Sequence, residues 1–112
     1  MLDKPAALGR AGGDANLLAE IAGLFLADYP ESLRKIRQAL AAGDLRTAER
    51  EAHSVKGSVA NFGAAPVVDA ALAVETAGRE GRADDASSHL QLLETLLESF
   101  RPELEELGGA GR

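Results

Sequence analysis

The stretch that decides the fold runs from residue 44 to residue 63 and reads DLRTAEREAHSVKGSVANFG. Its apolar residues recur every three or four positions, which is the spacing of one face of an amphipathic helix. These residues are Leu45, Ala48, Ala52, Val55, Val59 and Phe62. Gly43 and Asp44 at the start are typical of a helix stop followed by a helix cap, and Gly63 is typical of the next stop. The stretch therefore predicts one helix of a helical bundle.

Three further segments carry apolar stripes with the same spacing. Their predicted buried positions are Leu17, Ile21, Leu24, Leu33, Ile36 and Leu40, then Val67, Ala71 and Val74, then Ala86, Leu90, Leu93, Leu97, Phe100, Leu104 and Leu107. Pro30 lies inside the first of these segments, so we expect a kink or a break there. Short connections make consecutive helices antiparallel neighbours. The sequence predicts an all-α, antiparallel up-down-up-down four-helix bundle, with a short capping helix near residues 4–11.

The length of 112 residues fits a single domain that spans residues 1–112. We expect the bundle core to cover about residues 14–107 and the glycine-rich tail, residues 108–112, to be disordered. There is no Cys for a disulfide or a thiolate metal site. No apolar run is long enough to span a bilayer, and residues 1–10 lack the features of a signal peptide. A cytoplasmic monomer without membrane insertion is the resulting expectation.

The charge pattern excludes one class of function and favours another. The net charge of −6 argues against nucleic-acid binding, which needs a basic surface. Residues 31–60 nevertheless carry six basic and four acidic side chains, whereas residues 84–106 carry seven acidic side chains and one basic side chain. The region around the deciding stretch is therefore locally positive and can accommodate an anion.

His53 lies one position beyond the predicted core residue Ala52, so its ring should lie at the border between the core and water. Lys56 and Gly57 follow three and four residues later and are its neighbours on the helix surface. Glycine in mid-helix costs about 1 kcal/mol relative to alanine. Gly57 thus indicates either space for a bound group or partner, or close helix packing or chance. Lys56 is either a partner for an anion or an ordinary surface lysine.

His53, Lys56 and Gly57 together are a more specific signal than any one of them alone. Residues 53–63, HSVKGSVANFG, closely resemble the signature of the histidine-containing phosphotransfer (HPt) domain family of two-component phosphorelays, which is a histidine followed by x-x-Lys-Gly and then Phe-Gly. The preceding turn at residues 42–45 and the segment LFLADYPE at residues 24–31 also resemble this family. The resemblance covers about residues 14–107.

The resemblance implies a role for each matching residue. His53 would be the phosphoacceptor through Nε2, and Lys56 would stabilise the phosphoryl group or the partner interface. Gly57 would give the incoming receiver domain access. Glu75, at the offset of a glutamate in chemotaxis-kinase phosphotransfer domains, would hydrogen-bond the other nitrogen of the histidine, or else be an ordinary surface glutamate. His89, the other histidine, is predicted to be a surface residue on the last helix.

The implied function is a phosphorelay intermediate and not an enzyme. His53 would accept a phosphoryl group from a receiver-domain aspartate or a kinase and pass it to a response-regulator aspartate. The protein itself would need no cofactor and no metal, because the receiver partner would supply Mg²⁺. Two alternatives stay open at this point. The chain is a helical adaptor that binds signalling partners without phosphorylation, or it is the phosphotransfer domain of a hybrid or chemotaxis-type histidine kinase.

Overall fold

The helix that carries His53 forms for reasons that are visible in its sequence. Asp44 caps its first turn, because the Asp44 carboxylate accepts a hydrogen bond of 3.2 Å from the backbone N–H of Thr47. Its predicted core positions Ala48, Ala52, Val55 and Val59 are all buried. The helix ends in a 3₁₀ turn, Ala60–Phe62, and Gly63 then takes the left-handed conformation that stops it.

The computed structural model describes residues 1–109, and all secondary structure in this range is helical. The helices are α1 (Lys4–Arg10), α2 (Ala15–Ala41), α3 (Leu45–Val59), α4 (Ala65–Arg79) and α5 (Ala83–Gly109). The predictions of an all-helical protein and of a short helix near the start of the chain are confirmed. No helix within residues 1–109 is long and apolar enough to cross a membrane.

The four longer helices contact one another in a closed ring. Helix α2 packs against α3 and α5, and α4 packs against the same two helices. These contacts give an elongated body of 42 × 20 × 20 Å. Phe62 is fully buried, with its ring 5.7 Å from the ring of Phe25 and 6.2 Å from that of Phe100. Every predicted core position of α5 is buried, which confirms the buried face predicted for this helix.

The prediction of the buried face of α2 was wrong at two positions. Leu17 and Leu24 are exposed, and the buried face of this half of the helix is instead formed by Leu18, Ala22, Phe25 and Tyr29. The helix also runs without a break through the proline at position 30. This proline is on the exposed side, where water can satisfy the carbonyl group that loses its intrahelical partner.

The end of the chain also differs from expectation. Helix α5 continues to Gly109, so Gly108 and Gly109 belong to a helix and not to a disordered tail. A Cβ atom at Gly108 would lie 3.7 Å from the backbone nitrogen of Gly23 and 3.7 Å from a methyl carbon of Leu26, so this end of α5 lies close to α2. The remaining tail residues, 110–112, lie outside the described range.

Gly63 joins the start of the chain to the turn after α3. Its φ is +64°, and a Cβ atom at this position would lie 2.6 Å from Cβ of Asp3. Asp3 is held there because its backbone N–H donates a 3.0 Å hydrogen bond to the Phe62 carbonyl. This junction therefore requires a glycine for two independent reasons, backbone conformation and space.

Gly63→Ala should therefore destabilise the protein more than Gly81→Ala. Gly81 has a similar φ of +74° but has open space around it, so alanine there suffers only the left-handed strain of about 1–2 kcal/mol. At Gly63 the displacement of Asp3 should add about 1–3 kcal/mol. Urea unfolding of the two variants measures the difference, and equal losses would show that Asp3 moves aside without cost.

Candidate functional site

His53 presents its ring at the surface of α3, next to the buried Ala52. Its side chain is 65% exposed. The ring nitrogen Nδ1 lies 3.1 Å from Oε2 of Glu75 on α4. With the carboxylate ionised, Nδ1 is the nitrogen that carries the proton and donates this hydrogen bond. The other nitrogen, Nε2, keeps its lone pair, and no residue among 1–109 forms a hydrogen bond with it.

Glu75 is the buried member of this pair. It is 4% exposed and is the one charged residue in the buried class among the residues that the structure describes. A carboxylate in such a position is stable only when partners compensate for the lost hydration. Glu75 has these partners on both oxygens, so the interpretation of Glu75 as an ordinary surface glutamate does not hold.

Lys56 provides the compensation on the second oxygen. Its Nζ lies 2.7 Å from Oε1 of Glu75, and its side chain is only 25% exposed. Burial alone would raise the pKa of Glu75, but the contacts with Lys56 and His53 outweigh burial and lower this pKa below its ordinary value. His53, Lys56 and Glu75, three of the four predicted site residues, therefore meet around one ionised carboxylate.

Arg79 is a fourth member of the cluster that the sequence analysis missed. Its Nη2 donates a 2.8 Å hydrogen bond to Oε2 of Glu75, and its Nε donates a 2.9 Å hydrogen bond to Oε2 of Glu49. The bond with Glu49 is the main reason that the pKa of Arg79 is raised. The spacing of Glu75 and Arg79, four residues apart on one helix, is the sequence signal that could have identified the pair.

Gly57, the fourth predicted residue, lies on the exposed side of α3, one turn beyond His53. A Cβ atom at Gly57 would have no neighbour within 4 Å. Close helix packing therefore does not explain this glycine. The glycine that does allow close packing is Gly78, whose missing Cβ would lie 3.2 Å from the Leu45 carbonyl oxygen on α3. Gly57 therefore leaves open surface beside His53 that the packing of the helices does not require.

The lowered pKa of Glu75 predicts a specific dependence of stability on pH. A carboxyl group whose pKa is lower in the folded state stabilises the fold fully above its unfolded-state pKa, which is about 4.3. This contribution is lost as the pH falls through the lower, folded-state pKa. Unfolding free energies of Glu75→Gln should therefore decline less steeply with acid than those of the wild type. Glu31→Gln is the control, because its pair with Arg34 is half exposed and contributes little. Parallel curves for wild type and Glu75→Gln would contradict the assignment.

An all-helical protein with an exposed imidazole, held by a buried carboxylate and followed by lysine one turn later, has the arrangement of a phosphotransfer domain. The sequence matches the Hpt domain family over residues 20–103, which is most of the chain, and the protein belongs to that family. The resemblance inferred from residues 53–63 is confirmed. Domains of this family carry phosphoryl groups in two-component signalling and interact there with receiver domains and kinases.

The fold agrees with this membership. The structure resembles the crystal structure of histidine-containing phosphotransfer protein B (HptB) from Pseudomonas aeruginosa PAO1, with a TM-score of 0.85 and 25% sequence identity. The similarity covers 94% of this chain and 91% of that chain. Among curated proteins, none gives a significant match.

Proposed function

We propose that this protein is a phosphorelay intermediate in which Nε2 of His53 accepts a phosphoryl group from a receiver-domain aspartate or a kinase and passes it to a response-regulator aspartate. The observation that carries this proposal is the hydrogen bond from Nδ1 of His53 to Glu75. It fixes the tautomer in which Nε2 has a free lone pair, and it leaves that nitrogen on the open side of the ring.

The reaction needs little from the protein beyond this arrangement. The Nε2 lone pair forms the N–P bond while the P–O bond to the receiver aspartate breaks, and the electron pair of that bond leaves on the aspartate carboxylate. The imidazole becomes positively charged, and Nδ1 keeps its proton on the hydrogen bond with Glu75. The carboxylate thereby stabilises the charged ring. The reverse sequence returns the phosphoryl group to a second receiver.

The partner supplies the remaining charge stabilisation. We propose that the protein binds no cofactor or metal of its own and that Mg²⁺ is held by the receiver, where it neutralises the phosphoryl oxygens. Lys56, one helical turn from His53, is a cation of this chain that could act on the same group. In this division the protein is a carrier and the docked receiver completes the chemistry.

Docking would use the small and apolar surface that continues along α3 from His53. Gly57 leaves that surface without a side chain. A groove beside the next residue, Ser58, includes Leu24 of α2, which is 64% exposed. The antiparallel order of the helices, inferred from the short connections, would hold both parts of this surface rigid. We further propose that the protein is a cytoplasmic monomer that presents this face to each partner in turn.

The test is to incubate the protein with a phosphorylated receiver domain and Mg²⁺. We expect the label to move to this chain, to be lost in acid but retained in base, and to map to residue 53 by tandem mass spectrometry. Failure of the label to appear, while the receiver still binds, would instead identify the chain as an adaptor. Label on a carboxylate or hydroxyl group would exclude the proposed chemistry.

A further inference from the structure

Arg79 forms an ion pair with a buried carboxylate that already has Lys56 as a partner. It bridges Glu75 on its own helix and Glu49 on α3, and the bond to Glu75 uses the same oxygen that accepts from His53. Glu75 therefore interacts with two cations, Arg79 on Oε2 and Lys56 on Oε1. Two cations thus face two carboxylates, Glu75 and Glu49, and Arg79 is the cation that contacts both. Its contact with the buried Glu75, which Lys56 already neutralises, requires a reason.

The reason lies in what phosphorylation demands of Lys56. A phosphoryl group on His53 adds a charge of about −2 beside Glu75. Lys56 lies one helical turn from His53 on α3, and its flexible side chain can turn toward that group only by leaving Oε1. Without Arg79, that departure would leave the buried Glu75 carboxylate, whose side chain is 6% exposed, with the His53 ring as its one remaining partner among the residues described. The cost of abandoning Glu75 would then hold Lys56 in place.

We propose that Arg79 is a positioning residue that keeps Glu75 paired while Lys56 moves from the carboxylate to the phosphoryl group on His53. This inference rests on the proposed function. No covalent bond other than the N–P bond of the transfer itself is formed, and only ion pairs are exchanged. The bond to Glu49 holds the guanidinium beside Oε2, and the planar fork of arginine allows both carboxylates to be engaged at once.

The experiment is a double-mutant cycle on Arg79 and Lys56, read as the single-turnover rate of transfer from a phosphorylated receiver. We expect Arg79→Gln and Lys56→Ala each to slow transfer by about 10-fold, a typical loss for residues that support a reacting side chain. Because Lys56 stays on Glu75 when Arg79 is absent, the double variant should be about as slow as either single variant. A multiplied loss of about 100-fold, as independent effects require, would overturn the proposal.

Two controls separate this role from a purely structural one. Arg79→Lys keeps a cation at the position but loses the fork that engages both carboxylates, so it should recover part of the rate and transfer faster than Arg79→Gln. Arg82→Gln removes an arginine whose partners, Glu80 and Asp85, are exposed, and it should have no effect. A rate for Arg79→Lys as low as that for Arg79→Gln, or a wild-type rate for Arg79→Gln, would contradict the proposal.

The same experiment distinguishes a failure of the role of Arg79 from a failure of the proposed function. If the wild type accepts label at His53 and the Arg79 variants match it, only the role of Arg79 is wrong. If the wild type accepts no label from the receiver, the proposed function fails and the role of Arg79 fails with it.

Discussion

Replacement of His53 by glutamine should abolish acceptance of a phosphoryl group from a receiver and leave the fold intact. Glutamine can still hydrogen-bond Glu75, but its amide nitrogen has no free lone pair with which to attack phosphorus. The side chain is largely exposed, so the free energy of unfolding should change by no more than about 0.5 kcal/mol. The variant should therefore lose the reaction and keep the structure.

His89→Gln is the matched control, because His89 is the other histidine of the chain and lies on α5, whereas His53, Lys56, Glu75 and Arg79 lie on α3 and α4. It should accept the label at the wild-type rate. Both variants are compared with the wild type by autoradiography after incubation with the phosphorylated receiver, and by urea unfolding. Equal labelling of His53→Gln would mean that another group is the acceptor, and the proposed function would be wrong.

Replacement of Gly57 by leucine should make the protein more stable and much less active. The new side chain extends into open space and enters a helix in which leucine is favoured over glycine by about 0.8 kcal/mol. The same side chain occupies the surface that the receiver must approach. Because a displacement of about 1 Å from in-line geometry can cost about 100-fold in rate, we expect a loss of at least this size in transfer from the receiver.

A small phosphoryl donor distinguishes docking from chemistry at Gly57. Phosphoramidate needs no protein interface, so it should label Gly57→Leu at nearly the wild-type rate. Gly57→Ala should gain stability and lose little transfer, because a single methyl group protrudes far less. Wild-type transfer from the receiver to Gly57→Leu would show that the interface avoids this position, and equal losses with both donors would place the defect at His53.

The sequence predicted the buried face of a helix correctly where one set of apolar positions fits the helical repeat. It failed where two sets fit equally well. In α5 one set of apolar positions satisfies the helical repeat, and all of that set is buried. At the start of α2, apolar residues occur in adjacent pairs, such as Leu17 with Leu18 and Leu24 with Phe25. Both members of each pair fit the spacing. Packing selected the face with Phe25, which contacts Phe62, and periodicity alone cannot anticipate that choice.

The site was predictable to the extent that it lies on one helix. His53, Lys56 and Gly57 are three and four residues apart, so their proximity follows from helical geometry. The position of Glu75 depends on how α4 packs against α3, and only resemblance to a family indicated it. Arg79 is four residues from Glu75 on α4, but this spacing does not show that Glu75 is buried, and the burial of Glu75 is what gives the pair its significance.

The exposure of the His53 ring affects how long a phosphoryl group would remain on it. A phosphoryl group on Nε2 would be open to bulk water, with no wall of the protein around it. Its survival would depend on the intrinsic hydrolysis rate of the N–P bond and on the interval before the next receiver arrives. The concentration of receiver domains, more than the fold, would then determine what fraction of the phosphoryl groups is transferred before hydrolysis.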